Sequence, residues 1–260
     1  MIDIAAIAET LDHAQVHARA VPQSPPERAL SADQGYAVQE RLVARRLARG
    51  ERAVGIKLGL TSHAKMEQVG VREVIVGRLT DAMRMEEGGT IALERLIHPR
   101  IEPEIAFLLS RPLPREPGLS EALACVEALA PALEIIDSRY ENFRFDLGDV
   151  IADNSSSAGF ILGQWHPADT DIADLGIRLS VGGALRESGS SAAILGHPAR
   201  ALVAAARIAA KRGIATGAGD IVMAGAATAA VPLADGAWVT AGFGHLGRVQ
   251  TGARRASGTG

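Results

Sequence analysis

Hydrophobic residues in the first part of the chain follow the spacing of amphipathic helices. In the first predicted helix they recur every three or four positions, as on one face of an α-helix: Ile4, Ile7, Ala8, Leu11, Ala14 and Ala18. The proline-rich segment 21–26 is expected to end this helix. Ser31 with Gln34 predicts a capping-box start for a second helix, and Gly50 predicts its end. A short third helix is predicted from Ser62 to Val69.

After about residue 75 the pattern changes to short apolar runs separated by turns, which favours β-strands. The predicted strands cover residues 104–109, 132–137, 159–162, 177–181, 221–224 and 237–241. Gly182 and Gly183 lie between two such runs and predict a two-residue hairpin turn. Two helices interrupt the strands, one capped by Ser120 and one, rich in alanine, from about Ala199 to Arg212. Because helices and strands do not alternate regularly, we predict an α+β fold with a mainly antiparallel sheet.

These patterns divide the chain into an N-terminal helical region (1–75), a β-rich region that carries the candidate catalytic residues (76–251) and a small, polar, flexible tail (252–260). The composition, 47% hydrophobic and 22% charged, is that of a soluble globular protein. A net charge of -3 without a basic stripe argues against nucleic acid as a partner.

The cysteine count and the apolar runs indicate the cellular compartment of the protein. Cys125 is the single cysteine, so disulfides within the chain are excluded and a small core residue is expected. The longest apolar stretch, 221–234, is too short to span a bilayer and contains Gly225 and Pro232, so no membrane partner is expected. No secretory signal is visible at the N-terminus, and we expect a cytoplasmic protein.

Three glutamates carry the most informative chemistry. Glu102 and Glu104 are two residues apart in a predicted strand, so their side chains point to the same face. Glu134 lies in a second apolar run. If the three carboxylates converge in a buried space, they repel one another unless a cation neutralises them, and oxygen ligands select Mg²⁺ or Mn²⁺. The alternative is two exposed acids on an edge strand and an unrelated buried acid.

Most other polar residues near these runs have two interpretations. Lys57 lies in an apolar run and is either extended to the surface or held in a site. Thr61 and Ser62 offer hydroxyls to a substrate carboxylate or cap a helix. Arg139 either binds a second carboxylate or pairs with Asp137 or Glu141. Asp153 lies in a segment typical of turns.

Two motifs are misleading. Gly242-Phe243-Gly244-His245-Leu246-Gly247 matches a dinucleotide-binding fingerprint, but too little chain follows it for the required helix and strand, so we predict a tight hairpin. His13 and His17 have the spacing of zinc ligands, but the glutamate of a zinc protease is missing and no third ligand is near. An exposed helical face is the preferred interpretation.

Four motifs together resemble the hydratase/decarboxylase branch of the fumarylacetoacetate hydrolase superfamily, whose members serve meta-cleavage pathways of aromatic degradation. They are Gly55-x-Lys57-x-Gly59-Leu60-Thr61-Ser62, Pro99-Arg100-Ile101-Glu102-x-Glu104, Pro131-Ala132-Leu133-Glu134 and Ala152-Asp153-Asn154. Within this branch, segments 136–147 and 228–232 resemble decarboxylases of 2-oxohex-3-enedioate more than hydratases of 2-oxopent-4-enoate. The resemblance covers about residues 30 to 250, and it departs from the branch at segment 224–227, where a Gly-Gly pair is usual.

The resemblance implies a helical cap on a mixed, mainly antiparallel β-roll or barrel. It implies Mg²⁺ or Mn²⁺ on Glu102, Glu104 and Glu134, with Lys57 as the catalytic residue. Substrate-binding roles for a dicarboxylate are assigned to Thr61, Ser62, Asp81, Arg139 and Asp153. The activity implied is a metal-dependent carboxy-lyase, with a complex with a pathway hydratase and a homo-oligomer as expected assemblies. A hydratase on the same fold, a hydrolase of acylpyruvates and a catalytically silent subunit are the alternatives.

Overall fold

The computed structural model of the chain describes residues 2–61 and 73–256. The α-helices of these residues are α1 (Ile4–Val16), α2 (Ala32–Ala48), α3 (Leu119–Leu123), α4 (Leu147–Ala152) and α5 (Arg200–Arg212). The strands in the first half are β1 (Ala53–Gly59), β2 (Ile75–Thr80), β3 (Arg84–Met85), β4 (Thr90–Ala92), β5 (Arg100–Leu109) and β6 (Val126–Ile136). The later strands are β7 (Ser157–Leu162), β8 (His166–Pro167), β9 (Gly176–Val181), β10 (Ala184–Ser190), β11 (Ile221–Ala226), β12 (Val231–Pro232), β13 (Trp238–Phe243) and β14 (Arg248–Arg254).

The ends of three helices follow capping residues of the sequence, whereas Ser120, expected to cap a helix, lies inside α3, which begins after Gly118. Helix α1 begins after Asp3, whose carboxylate accepts hydrogen bonds from two backbone N–H groups of the first turn. Ser31 and Gln34 form the predicted capping box at the start of α2. Helix α5 ends at Gly213, which adopts the left-handed conformation. The third predicted helix, 62–69, lies outside the described residues.

The described strands form two sheets. The larger has nine strands in the order β2-β1-β11-β5-β6-β7-β3, with β12 on β5 and β8 on β6. The smaller has five strands in the order β10-β9-β13-β14-β4. Most neighbouring strands are antiparallel, while β1 and β11, β3 and β7, and β4 and β14 run parallel. The predicted α+β class with a mixed, mainly antiparallel sheet region is therefore confirmed.

The main hydrophobic core lies between the two sheets. It takes alternate residues of the larger sheet, such as Ile105 on β5 and Leu133 on β6, and inward-facing residues of the smaller sheet, such as Val239 on β13. The residues between them on β5 and β6 point to the opposite face of the larger sheet, where Ala106 and Ala132 belong to a separate apolar cluster. This second face carries the three glutamates.

Several local predictions are confirmed. Gly182 and Gly183 form the turn between β9 and β10, both with positive φ. The segment 242–247 closes the antiparallel hairpin of β13 and β14, so it is not a nucleotide-binding loop. His13 on α1 and His17 at its C-terminal cap are exposed, and Cys125 is buried.

The region boundaries stay predictions of the sequence. Strand β1 precedes the boundary at residue 75 but pairs with β2 and β11 inside the larger sheet. Strand β14 extends to Arg254, into the segment predicted as a tail, because it pairs with β13 and β4. No helix among the described residues is both long and apolar enough to cross a membrane.

Candidate metal centre and active site

The larger sheet brings the three glutamates together. Glu102 on β5 lies directly opposite Glu134 on β6 in the strand register, and Glu104 follows two residues along β5 on the same face. All three are buried, with Glu104 and Glu134 fully enclosed. One carboxylate oxygen from each residue lies within 4.8 Å of the others. Since β5 is flanked by β11 and β6, the alternative of two exposed acids on an edge strand is wrong.

The electrostatics of this triad favour a bound cation. Burial raises the pKa of Glu104 well above its ordinary value, and the neighbouring Glu134 and Glu102 raise it further. One oxygen of Glu104 accepts a hydrogen bond from the N–H of Gly225 at 2.8 Å, while its Oε1 has no partner among the described residues. Burial also raises the pKa of Glu134, although the nearby Lys57 ammonium lowers it. A divalent cation would stabilise the ionised carboxylates, so the donor set fits Mg²⁺ or Mn²⁺.

A bulge in β11 shapes one side of the triad. The register with β5 shifts between Met223 and Ala226, and Gly225 within the bulge has a φ of 99°. A Cβ on Gly225 would lie 2.1 Å from the hydroxyl oxygen of Thr61, so only glycine allows this approach. Thr61 is buried there, next to the residue that donates to Glu104. Ser62 lies outside the described residues.

Lys57 is held in the site and does not extend to the surface. It lies on β1, is 2% exposed, and its Nζ is 2.9 Å from Oε1 and 3.2 Å from Oε2 of Glu134. Gly77 on β2 pairs with Lys57 and leaves room for it, because a Cβ on Gly77 would lie 3.2 Å from Cε of the lysine. The ammonium therefore has a fixed position beside the carboxylates.

Arg139 and Asp153 contact each other inside the protein. The Arg139 Nε donates to the Asp153 carboxylate, and Nη2 donates to the Asp153 carbonyl. Nη1 donates to the carbonyls of Asp137, at 2.8 Å, and Ser157, at 3.2 Å. Asp137 and Glu141 are the side-chain partners expected from the sequence, but the partner is Asp153. Burial raises the pKa of Asp153 to about 6, against the lowering effect of the Arg139 charge.

This ion pair adjoins a strained turn next to Lys57. Asn154, Ser155 and Ser156 have φ values of 51°, 55° and 55°, a left-handed conformation that L-residues rarely adopt in succession. The Asn154 side chain bonds both backbone groups of Arg78 on β2, at 2.7 and 2.9 Å. The Asn154 carbonyl would lie 2.7 Å from a Cβ on Gly77, the residue that also adjoins Lys57. The turn is thus fixed against β2 beside the lysine.

We expect Asp153→Asn to destabilise the protein by about 3 kcal/mol, because it leaves the fully buried Arg139 guanidinium without its counter-ion. Chemical denaturation of the metal-free protein measures this free energy. Asp81→Asn is the matched control: Asp81 forms an exposed pair with Arg52, and such pairs contribute about 0–1 kcal/mol. Equal losses in the two variants would contradict the structural importance of the buried pair.

The structure does not bring Asp81 to the triad. Its carboxylate accepts from the backbone and guanidinium of Arg52, both at 2.9 Å. Gly77 is the β2 residue opposite Lys57. Asp81 follows Gly77 by four residues, which places it about 13 Å from Gly77 and away from the lysine. The sequence predicts Asp137 only as a partner for Arg139. Its carboxylate instead accepts from the backbone N–H groups of Ile97 and His98, at 2.8 and 2.7 Å, and fixes the segment that leads into β5.

Comparison with known proteins identifies the family of this chain. The sequence model for the fumarylacetoacetate (FAA) hydrolase C-terminal region matches residues 72–253. The chain belongs to the fumarylacetoacetate hydrolase family. A 4-oxalocrotonate decarboxylase from a Pseudomonas species is 52% identical over 94% of this chain and 95% of that protein. A 2-hydroxyhexa-2,4-dienoate hydratase from Comamonas testosteroni is 35% identical, with 80% of each chain covered.

A solved structure extends the similarity to the fold. The 4-oxalocrotonate decarboxylase from Pseudomonas putida G7, complexed with magnesium and adipate, superimposes with a TM-score of 0.92 at 38% identity. The match covers 96% of this chain and 97% of that one. The relatives that are decarboxylases therefore align over a larger share of the chain, at higher identity, than this hydratase. The family expected from the sequence motifs is confirmed.

Proposed function

We propose that this protein catalyses the Mg²⁺-dependent decarboxylation of 2-oxohex-3-enedioate, or 4-oxalocrotonate, to 2-hydroxypenta-2,4-dienoate and CO₂. The observation that carries the proposal is the convergence of three buried carboxylates with a lysine that contacts one of them. The similarity to 4-oxalocrotonate decarboxylases, one of them solved with magnesium and a six-carbon dicarboxylate, supports this substrate over others in the family.

We propose Glu102, Glu104 and Glu134 as the residues that hold the metal. A divalent cation bound there would withdraw electron density from the ketone and carboxylate oxygens of a 2-oxo acid, which makes the ketone a better electron sink. The three side chains supply oxygen ligands and three formal negative charges, which suit a hard divalent cation.

The substrate needs such a sink because C5, the carbon that bears the departing carboxylate, is attached to the C3=C4 double bond that is conjugated with the ketone. When the C5–C6 bond breaks, its electron pair forms the C4=C5 double bond. The former C3=C4 pair moves to C2–C3, and the ketone pair moves onto oxygen. CO₂ leaves, and one proton on the oxygen completes 2-hydroxypenta-2,4-dienoate. The reaction balances without an organic cofactor.

We propose that Lys57 stabilises the developing charge on the ketone oxygen and supplies the proton. The side chain is suited to this because it is buried, fixed by Glu134 and adjacent to the triad. Thr61 is proposed to contact the substrate from the neighbouring wall, where it packs on Gly225. Ser62 keeps its substrate-binding assignment from the sequence motifs alone, whereas Asp81, which pairs with Arg52 away from the triad, is not assigned to the substrate.

Arg139 and Asp153, expected from the sequence to bind substrate, are proposed instead to support the site. Four protein acceptor contacts occupy the Arg139 guanidinium, and Asp153 is fully buried against it. Their pair connects the segment after β6 to the strained turn beside Lys57. We assign to them the positioning of that turn.

The choice of reaction is tested with purified protein, Mg²⁺ and two substrates. We expect CO₂ release from 2-oxohex-3-enedioate, abolished by a chelator and restored by Mg²⁺, and little or no hydration of 2-hydroxypenta-2,4-dienoate. Coupled CO₂ detection and ultraviolet absorbance of the dienoate measure the two reactions. Rapid formation of 4-hydroxy-2-oxopentanoate without CO₂ release would show a hydratase instead. Inactivity on both substrates, with metal bound, would indicate a silent subunit.

From the resemblance alone we also infer assembly with a copy of itself and with the hydratase that consumes its product. Size-exclusion chromatography with light scattering, on each purified protein and on their mixture, measures both associations. A monomer that elutes independently of the hydratase would contradict them.

A further inference from the structure

A second cation shares the face of the sheet that carries the triad. Arg100 lies two residues before Glu102 on β5, and the pairing of β5 with β6 is continuous from Arg100 to Glu104. Alternation along the strand therefore directs Arg100 to the same face as both glutamates. The spacing of two strand residues separates Arg100 from Glu102 by about 7 Å between Cα atoms.

The four adjacent strands β1, β11, β5 and β6 carry two cationic residues, Lys57 and Arg100. The register places Lys57 level with Met223 on β11, and Met223 level with Ala106 on β5. Along the direction of β5, Arg100 therefore precedes Glu102, whereas Lys57 on β1 is level with Ala106, which follows Glu104. Lys57 contacts Glu134, whereas Arg100 forms no ion pair among the described residues.

The surroundings of Arg100 hold its guanidinium in place without neutralising it. Its Cζ lies 4.2 Å from the ring centroid of Phe143, and the side chain is half-buried. The same ring contacts His98 at a centroid distance of 4.6 Å. The His98 Nε2 is buried and has no hydrogen-bond partner among the described residues. A cation and an unsatisfied ring nitrogen therefore adjoin one aromatic side chain.

We propose that Arg100 binds the distal carboxylate of the dicarboxylate substrate, with His98 as a neighbouring polar contact. This inference rests on the proposed function, and it gives to Arg100 the role expected of Arg139 from the sequence. A guanidinium donates two parallel hydrogen bonds to a carboxylate and so fixes its orientation as well as its position. Here the fixed carboxylate would hold the C5–C6 bond perpendicular to the plane of the C3=C4 double bond. The electron pair of the breaking bond can then enter the conjugated π system, as the reaction requires.

Two unreactive analogues isolate this contact. The saturated analogue 2-oxohexanedioate has both carboxylates, whereas 2-oxohexanoate has the same chain length without the distal one. We expect the Mg²⁺-loaded wild-type protein to bind the dicarboxylate about 10- to 100-fold more tightly, the scale of a charge-assisted hydrogen-bonded pair. In Arg100→Met this preference should disappear, while affinity for 2-oxohexanoate stays within about twofold of wild type. Isothermal titration calorimetry measures all four affinities.

The matched control is Arg248→Met, which removes the same charge from an exposed position on β14 in the smaller sheet. It should keep the preference for the dicarboxylate, which separates local contact from a change in net charge. Binding of 2-oxohexanoate confirms that Arg100→Met is folded and holds a working metal centre. A preference that survives in Arg100→Met overturns the assignment of Arg100 alone. A wild-type protein that binds neither analogue with Mg²⁺ overturns the proposed function and this inference together.

Discussion

Glu104→Gln is expected to abolish Mg²⁺-dependent turnover, a loss on the order of 10³-fold or more, and to raise the thermal stability of the metal-free protein. The amide still accepts a hydrogen bond from Gly225, so the local structure is kept. The variant loses one of three charges that hold the metal. It also loses a buried carboxylate that has no compensating partner for Oε1 among the described residues.

The stability effect should depend on pH. Because the pKa of Glu104 is raised above its ordinary value of 4.5, the folded state holds this proton more tightly than the unfolded state does. The stabilising effect of that proton is complete below pH 4.5 and is lost as the pH rises towards the raised pKa. The metal-free wild-type protein should therefore lose stability over this range, and Glu104→Gln should lose less.

Thermal unfolding at several pH values, with and without Mg²⁺, measures both consequences, and calorimetry measures metal affinity. Glu127→Gln is the control, since Glu127 is exposed on β6 in the same sheet as Glu134. It should change neither activity nor the pH profile. Normal turnover in Glu104→Gln would remove Glu104 from the metal site.

The parts of the fold that were predictable from sequence are those fixed by local chemistry. The capping box of Ser31 and Gln34 and the diglycine turn at 182–183 depend on side chains a few residues apart, and both are confirmed. Strand lengths were less accurate. The strand predicted over 104–109 begins at Arg100, because pairing with β6 and β12 extends β5 through its polar residues. Such pairing comes from distant segments and leaves no local pattern.

The same distinction applies to the site. The common face of Glu102 and Glu104 followed from strand alternation, and the motifs added Glu134. The partner of Arg139 did not follow, because Asp153 meets it only after the intervening chain has passed through α4. The position of Arg100 could have been predicted in the same way, since it lies two residues before Glu102 on one strand. It was missed because only the carboxylates of that segment were considered as site residues.

Lys57→Met is expected to lower kcat by about 10²-fold or more, the scale of a lost proton donor or electrostatic stabiliser, while Mg²⁺ binds at least as tightly as in wild type. The two effects separate because the ammonium lies 2.9 Å from a proposed metal ligand and repels any cation held there. Methionine has a similar length and suits the apolar run of β1, so the strand should keep its pairing.

Steady-state kinetics with 2-oxohex-3-enedioate and calorimetric titration with Mg²⁺ measure the two quantities on the same preparation. Lys211→Met removes the same charge from an exposed position at the end of α5 and should change neither. A near-normal kcat in Lys57→Met would leave the lysine as a structural counter-ion of Glu134. A rate loss that follows weakened metal binding would assign it to the metal site. Only slow turnover with intact metal binding identifies Lys57 as the group that acts on the substrate, because that outcome separates the chemistry at the ketone oxygen from the assembly of the site that holds it.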